Sequence, residues 1–319
     1  CAKIPQTVTS EEAAFTPLAS IALQGIRLLN PTFWEIFTVY GLGLVGLLTV
    51  QLLQRNGCKV IAIDPNKERL QLAKQLGAVV IESTDPKEQE NKIYTETNGY
   101  GADGSVITAA SKSNSIISNA AQTCRKKGRI ILIGVVGLDL KRSDFYEKEL
   151  TFQVSCSYGP GRYDTNYEYG QDYPLGFVRW TEERNFLAIL ESLRNNNIDV
   201  SHFITNRIAF SDVEHKYKSI LEDPTSLGVI IQYETNTVSS RKIPNQNTNR
   251  HNLENPKRPT IGIIGAGNFS STVLLPILSK MDCNLKYISA KTNGLTAKHS
   301  ADKFNIDYSV TDSSIIIDD

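Results

Sequence analysis

The sequence predicts an α/β protein built on a doubly wound parallel sheet, followed by the start of a second unit of the same kind. Three observations predict it. Short apolar or β-branched runs alternate with helical stretches from residue 37 onward. A glycine pattern, G-x-G-x-x-G, opens the first of those helices, and an acid closes the strand that follows. After a polar stretch, strand, glycine turn and helix begin again at residue 260.

Each element has its own signal. Residues 37–40 are short and apolar, and Leu44–Arg55 has helical spacing. Lys59–Ile63 is β-branched and ends at Asp64. Residues 67–76 are helical, with Gly77 in the place of a C-cap. Val79–Ile81, 104–108 and 129–133 read as further buried strands, separated by helices near 86–97 and 113–125. Apolar strands alternating with helices indicate a parallel sheet covered on both faces. Past Gly134 the rhythm changes: 155–173, rich in Gly, Tyr, Asp and Asn, reads as an irregular loop. Residues 180–195 and 208–223 read as helices, and 228–233 as a short strand. Residues 234–258 are polar and Asn-rich, too poor in apolar side chains to offset ordering entropy, and read as a linker.

The first glycine run carries chemistry. Gly41 permits a tight turn, Gly43 lets backbone approach a pyrophosphate, and Gly46 lets helix pack closely on strand. The N–H groups at the helix start, around Leu44 and Val45, together with the helix dipole, attract phosphate charge. Asp64 stands where an acid accepts hydrogen bonds from adenosine ribose hydroxyls. The same acid would repel a 2′-phosphate, which favours NAD over NADP. The competing reading is a structural glycine turn followed by a surface Asp.

These residues resemble the medium-chain dehydrogenase/reductases, the family of the zinc alcohol dehydrogenases and threonine dehydrogenase. The matching pieces are VIAIDPNKERL (60–70), AKQLGA (73–78), GYGAD (99–103) and GRIILIG (128–134), and the likeness covers about residues 10–233. It implies a Rossmann domain at 26–150, an entry helix and the end of a catalytic-domain segment at 1–25, and a return segment at 151–233. It also implies that Arg69 lies near the adenosine ribose, with Ala109, Ala110, Gly134 and Val135 beside the nicotinamide half. On the residues alone, Arg69 reads equally well as a solvated helix charge. In this family most of the substrate domain precedes the coenzyme domain, so the chain is expected to be a fragment with its catalytic residues elsewhere. Residues 14–24, where zinc-dependent members place a late Cys ligand, contain no Cys, His, Asp or Glu, so zinc is not expected here.

The second glycine run, Gly265, Gly267 and Ser270, follows an apolar strand, with serine in the third place and slightly looser packing expected there. The next strand ends in Ser289 and Lys291 with no acid, so this unit is expected to take NAD or NADP, tilting toward NADP. Residues 259–319 resemble the start of the glucose-fructose/inositol dehydrogenase (Gfo/Idh/MocA) Rossmann domain. Together the two units resemble bacterial bi-domain oxidoreductases associated with surface polysaccharide synthesis.

Bulk properties bound the rest. Lys+Arg and Asp+Glu are both 34, so no global field draws nucleic acid or an anionic membrane. No apolar run reaches the roughly 18 residues of a membrane span. Cys1, Cys58, Cys124, Cys156 and Cys283 show no C-x-x-C pair, and the four histidines do not cluster. That pattern fits reduced cytoplasmic thiols better than disulfides or structural zinc. The expected partner is a small-molecule substrate, and homo-oligomerisation is left open. Tyr158, Tyr163, Asp164 and Tyr167 are the local candidates for proton transfer, though they read first as loop and interface residues. Two function classes stand: a hydride-transferring oxidoreductase on an alcohol or sugar-like carbonyl, and a non-catalytic dinucleotide sensor or assembly subunit.

Overall fold

The computed structural model describes residues 2–234, 240–245, 258–291 and 293–319. The chain divides into two compact units, Cys1–Tyr233 and Glu234–Asp319. In the first, a short helix α1 (Ser10–Ala13) precedes α2 (Thr16–Leu29). The alternation then runs β1 (Ile36–Tyr40), α3 (Leu44–Arg55), β2 (Lys59–Ile63), α4 (Lys67–Gln75) and β3 (Val79–Ile81). It continues through α5 (Pro86–Glu96), β4 (Ala102–Ile107), α6 (Ser115–Thr123) and β5 (Cys124–Leu132), then α7 (Arg142–Tyr146) and β6 (Thr151–Val154). The six strands form one parallel sheet in the order β3-β2-β1-β4-β5-β6.

Side chains alternate across that sheet because successive strand residues point to opposite faces. Val60 and Ala62 of β2 join Phe37, Val39 and Ile131 in one core, together with α2, α3 and the later helix α9 (Glu182–Arg194). Ile61, Ile63, Ile130 and Leu132 join the other, under α5 and α6. Both faces are covered, as the apolar strands predicted. At the centre, Thr38 and Ser105 sit opposite each other in β1 and β4, and their hydroxyls share a buried hydrogen bond of 2.6 Å.

The return segment contains α8 (Thr165–Glu168) inside the region expected to be irregular, then α9, β7 (Ile204–Ala209), α10 (Val213–Glu222) and β8 (Gly228–Gln232). Its attachment is specific. The amide of Gln51 in α3 donates to Asp199 O and accepts from Asp199 N, at 2.8 and 2.9 Å. Arg207 makes a two-pronged ion pair with Glu11. The helix expected over 208–223 is corrected at its start: residues 208–209 belong to β7, which pairs in parallel with β8. Ile208 is buried and registers with Ile231, a partner too distant in sequence for local pattern to reveal.

The second unit comprises β9 (Lys242–Pro244), β10 (Thr260–Ile264), α11 (Leu275–Leu278), β11 (Asn284–Ser289), α12 (Gly294–Phe304), β12 (Tyr308–Val310) and α13 (Ser314–Ile317). Its sheet order is β10-β11-β12-β9, with β9 antiparallel. The linker expected over 234–258 is therefore corrected at 240–245, while 235–239 and 246–257 lie outside the described residues. Lys242–Pro244 forms an edge strand, the position in a sheet where a proline's missing N–H is tolerated. Lys242 lies over the rings of Tyr287 and Tyr308 and donates to the Tyr287 hydroxyl at 2.7 Å. Asn245 is 3% exposed, and its amide donates to Ala301 O and Ile306 O. A polar stretch thus becomes structure by satisfying carbonyls and covering aromatic rings. Little apolar surface of its own is needed.

Candidate functional site

The strand order places β1 beside β4, with β2 and β3 on one flank and β5 and β6 on the other. Connections leave the two central strands in opposite senses, and their C-terminal ends open a crevice. A cleft of about 610 Å³ lies there. Of the residues anticipated from sequence, Gly41, Gly43, Asp64, Arg69, Ala109 and Ala110 line it. Leu44, Val45 and Gly46 form the first turn of α3, which begins at Gly43 with no side-chain cap.

The turn is built by short, directional contacts. Gly41 adopts φ +94°, a left-handed conformation that L side chains avoid, and its N–H donates to Ile63 O at 2.9 Å. The Asp64 carboxylate, 6% exposed, accepts from the N–H of Leu42 at 2.6 Å and of Asn66 at 2.8 Å. One acid therefore clasps the glycine turn to the end of β2 while still lining the cleft. Thr108 Oγ1 donates to Gly41 O at 2.6 Å. A Cβ on Gly46 would overlap that same carbonyl oxygen, which accounts for the third glycine. At Gly43 the protein gives no such reason, because a Cβ there would meet nothing within 4 Å. Its smallness keeps open the space in front of the uncapped helix start.

Gly134 and Val135 adjoin the cleft without lining it. Gly134 packs so closely on Ala109 that a Cβ would overlap the Ala109 carbonyl oxygen. Val135 bridges to Ala110 in parallel and is 77% exposed. Sequence reasoning missed Thr84, Pro86, Gln89, Ser111, Ser115 and Asn119, all of which also line the cleft. They come from the loop after β3, the first turn of α5, the loop after β4, and α6. No local motif marks them. The strand order that gathers them is the only available signal.

Tyr158, Tyr163, Asp164 and Tyr167, expected as local proton-transfer candidates, are not on the cleft wall. Asp164 caps α8 and accepts from the Tyr173 hydroxyl, which holds its carboxyl below the usual range. Tyr167 stacks on Tyr173, and Tyr158 packs edge-on against Phe186. Buried Tyr40 does line the cleft, and desolvation raises its phenol well above the usual range. Its hydroxyl is spent on Thr123 at 3.2 Å.

Among the described residues no three His, Cys, Asp or Glu side chains come together as a metal site. Burial pushes the thiols of Cys58 and Cys124 up to about 11, unfavourable for the thiolate a metal requires. Neither of these two thiols is set up to hold a zinc ion.

In the second unit Gly265 takes φ +109° and donates to Ser289 O at 3.0 Å, as Gly41 does to Ile63 O. Ala290 thus stands where the first unit has Asp64. Ser270 Oγ donates to Gly265 O at 2.6 Å, and Ser271 and Thr272 bond back to Gly267 O and Asn268 O. The helix expected after this turn is present: Asn268 and Phe269 are α-helical, a π-turn follows at Ser270–Leu274, and four α-helical residues close it. Back-bonding hydroxyls and Pro276, which lacks an N–H, both oppose regular α-helical bonding through that stretch.

Residues 45–169 match the protein family described as zinc-binding dehydrogenase. The chain is 31% identical over 134 residues to an alcohol dehydrogenase of Geobacillus stearothermophilus, covering 42% of this chain and 39% of that relative. It is 26% identical over 227 residues to a D-guloside 3-dehydrogenase of Escherichia coli K12, covering 69% and 60%. A solved short chain alcohol dehydrogenase from E. coli CFT073, complexed with cofactor NADH, is similar in fold with a TM-score of 0.57 and 23% identity. That likeness covers 72% of this chain and 61% of the solved one. The chain thus spans about two fifths to three fifths of the length of these two curated relatives.

Proposed function

We propose that the first unit is the NAD(H)-binding part of an oxidoreductase that interconverts an alcohol and a carbonyl on a polyol or sugar-like substrate. The observation that carries this reading is Asp64, a buried carboxylate that fixes the glycine turn and lines the cleft beside it. The uncapped start of α3 would hold the pyrophosphate through its free N–H groups. Asp64 would accept from the ribose hydroxyls, with Arg69 at the same edge of the cleft. Small residues at Ala109, Ala110 and Gly134 leave room for the nicotinamide half. The nicotinamide supplies hydride acceptance and donation when bound. The chain supplies position and electrostatics.

Titrating NADH and NADPH into the protein and into Asp64→Ser tests the cofactor assignment. NADH is expected to bind more tightly to the unchanged protein, and the preference to vanish in the variant. Equal affinities in the unchanged protein would remove the argument.

The substrate class follows from the similar proteins, whose names include D-guloside 3-dehydrogenase and D-xylulose reductase. The second unit, with Gly265, Gly267 and Ser270, is read as a further nucleotide turn for NAD or NADP. Its likeness to the Gfo/Idh/MocA start, and with it a role in surface polysaccharide synthesis, belongs to the same proposal. The second reading is a non-catalytic dinucleotide sensor: among the described residues no His, Cys or Lys lines the cleft. NADH formation with polyols and sugar nucleotides, measured on the full-length protein, separates the two readings. Turnover supports the enzyme, and cofactor binding with no turnover on any of them supports the sensor.

A further inference from the structure

Two arginines and a tryptophan of the first unit come together outside the cleft; none of Arg27, Arg179 and Trp180 lines it. The guanidinium carbon of Arg27 lies 3.3 Å from the centre of the Trp180 ring, and that of Arg179 lies 3.8 Å from it. The indole attracts each cation but leaves their mutual repulsion in place. Among the described residues no carboxylate pairs with either of them. Burial first, and then the charge of Arg179, push the Arg27 guanidinium down to about 10, so it still carries its charge at neutral pH. Two like charges gathered on one ring without an acid are a cost that a bound anion would remove.

The parts are held in place. Arg27 Nε donates to Asn185 Oδ1 at 2.7 Å. Asn185 is fully buried, and its own amide donates to Tyr158 O at 2.8 Å. The Nη edge of Arg27 is left unspent, and neither of its terminal nitrogens is shut off from solvent. Arg179 and Trp180 lie between two anchors: Arg184 donates to Val178 O at 2.6 Å, and Thr181 caps α9. Guanidinium donors fixed in this way bind an oxyanion with little further ordering.

We infer that Arg27 and Arg179, set around Trp180, bind a phosphate dianion, either free or as the monoester of a small molecule. Charge selects the ligand: two cations neutralise a dianion, whereas a carboxylate would leave one of them unmatched. Guanidinium groups also meet phosphate oxygens with paired, charge-assisted hydrogen bonds.

The test uses the full chain carrying Trp34→Phe, which leaves Trp180 as its one tryptophan. Trp180 emission is followed while inorganic phosphate, glucose 6-phosphate or acetate is added at constant ionic strength. Inorganic phosphate is expected to change the emission saturably, with acetate about tenfold weaker. Arg179→Gln, a change at an exposed position, should weaken phosphate about tenfold, with thermal unfolding as the check that the variant is folded. Tighter binding of the sugar phosphate would assign the site to an ester, and equal or weaker binding to the free ion. No saturable change, or acetate bound as tightly as phosphate, would overturn the inference. So would undiminished phosphate binding in folded Arg179→Gln. Phosphate held only at the start of α3, seen by calorimetry while Trp180 emission stays still, would overturn it too and leave the dinucleotide reading standing.

Discussion

The two glycine turns of this chain solve one geometric problem with different chemistry. Each places a left-handed glycine after an apolar strand and ties its N–H to the carbonyl at the end of the next strand. In the first turn the Gly41 carbonyl receives Thr108, the residue just after β4, and Gly46 must be bare for α3 to approach. In the second, the corresponding carbonyl of Gly265 receives the hydroxyl of Ser270 from its own helix. The first is closed by the neighbouring strand and a buried acid. The second closes on itself, with Ala290 where the acid would be and β10 at the sheet edge. A turn braced from outside can hold its helix start rigidly toward a ligand. The helix after the second turn carries a π-turn at Ser270–Leu274.

Exchanging the third residue gives the largest expected effect. Gly46→Ser should cost the first unit about 3 kcal/mol, because a Cβ there overlaps backbone that cannot move aside. NADH binding should fall with it. Thermal unfolding and NADH titration read both, and unaltered binding would mean the close approach is not required.

Next in size is the acid. Asp64→Ala leaves two backbone donors without their charged acceptor, and about 2.5 kcal/mol should be lost, in stability and NADH affinity together. Should calorimetry find both unchanged, the clasp between the turn and β2 is not what distinguishes the first turn.

The second unit depends on a different brace. Asn245→Ala removes two buried hydrogen bonds, to Ala301 O and Ile306 O, and should cost about 2 kcal/mol in that unit alone. Hydrogen exchange would show faster exchange over 284–310 with no change over 36–132. Equal loosening of both regions would contradict the division into two units.

The smallest effect belongs to Ser270→Gly. It removes one local hydrogen bond and no packing, so about 1 kcal/mol is expected. A loss as large as that of Gly46→Ser would show that the two turns are braced alike.

Much of the first site was legible because its residues are close in sequence. Gly41, Gly43, Gly46 and Asp64 belong to one strand, turn, helix and strand, and each is constrained by a nearby backbone atom. Thr84, Gln89, Ser115 and Asn119 were not legible. They line the same cleft from three other segments, and nothing in their own neighbourhoods distinguishes them from solvated helix and loop residues. The strand Lys242–Pro244 escaped for a related reason: its register against Tyr308–Val310 is set by a partner far along the chain.

By itself the sequence determined the α/β alternation, the two glycine turns and the acid after the second strand. Those features rest on local sterics, on helix and strand periodicity, and on hydrogen bonds that close within a few residues. The tertiary structure alone decided that Asp64 serves the turn as well as the cleft, that Ser270 bonds back to the Gly265 carbonyl, and that a polar stretch becomes an edge strand. Those outcomes depend on which distant atoms arrive within hydrogen-bonding reach, and only the packed sheet order fixes that.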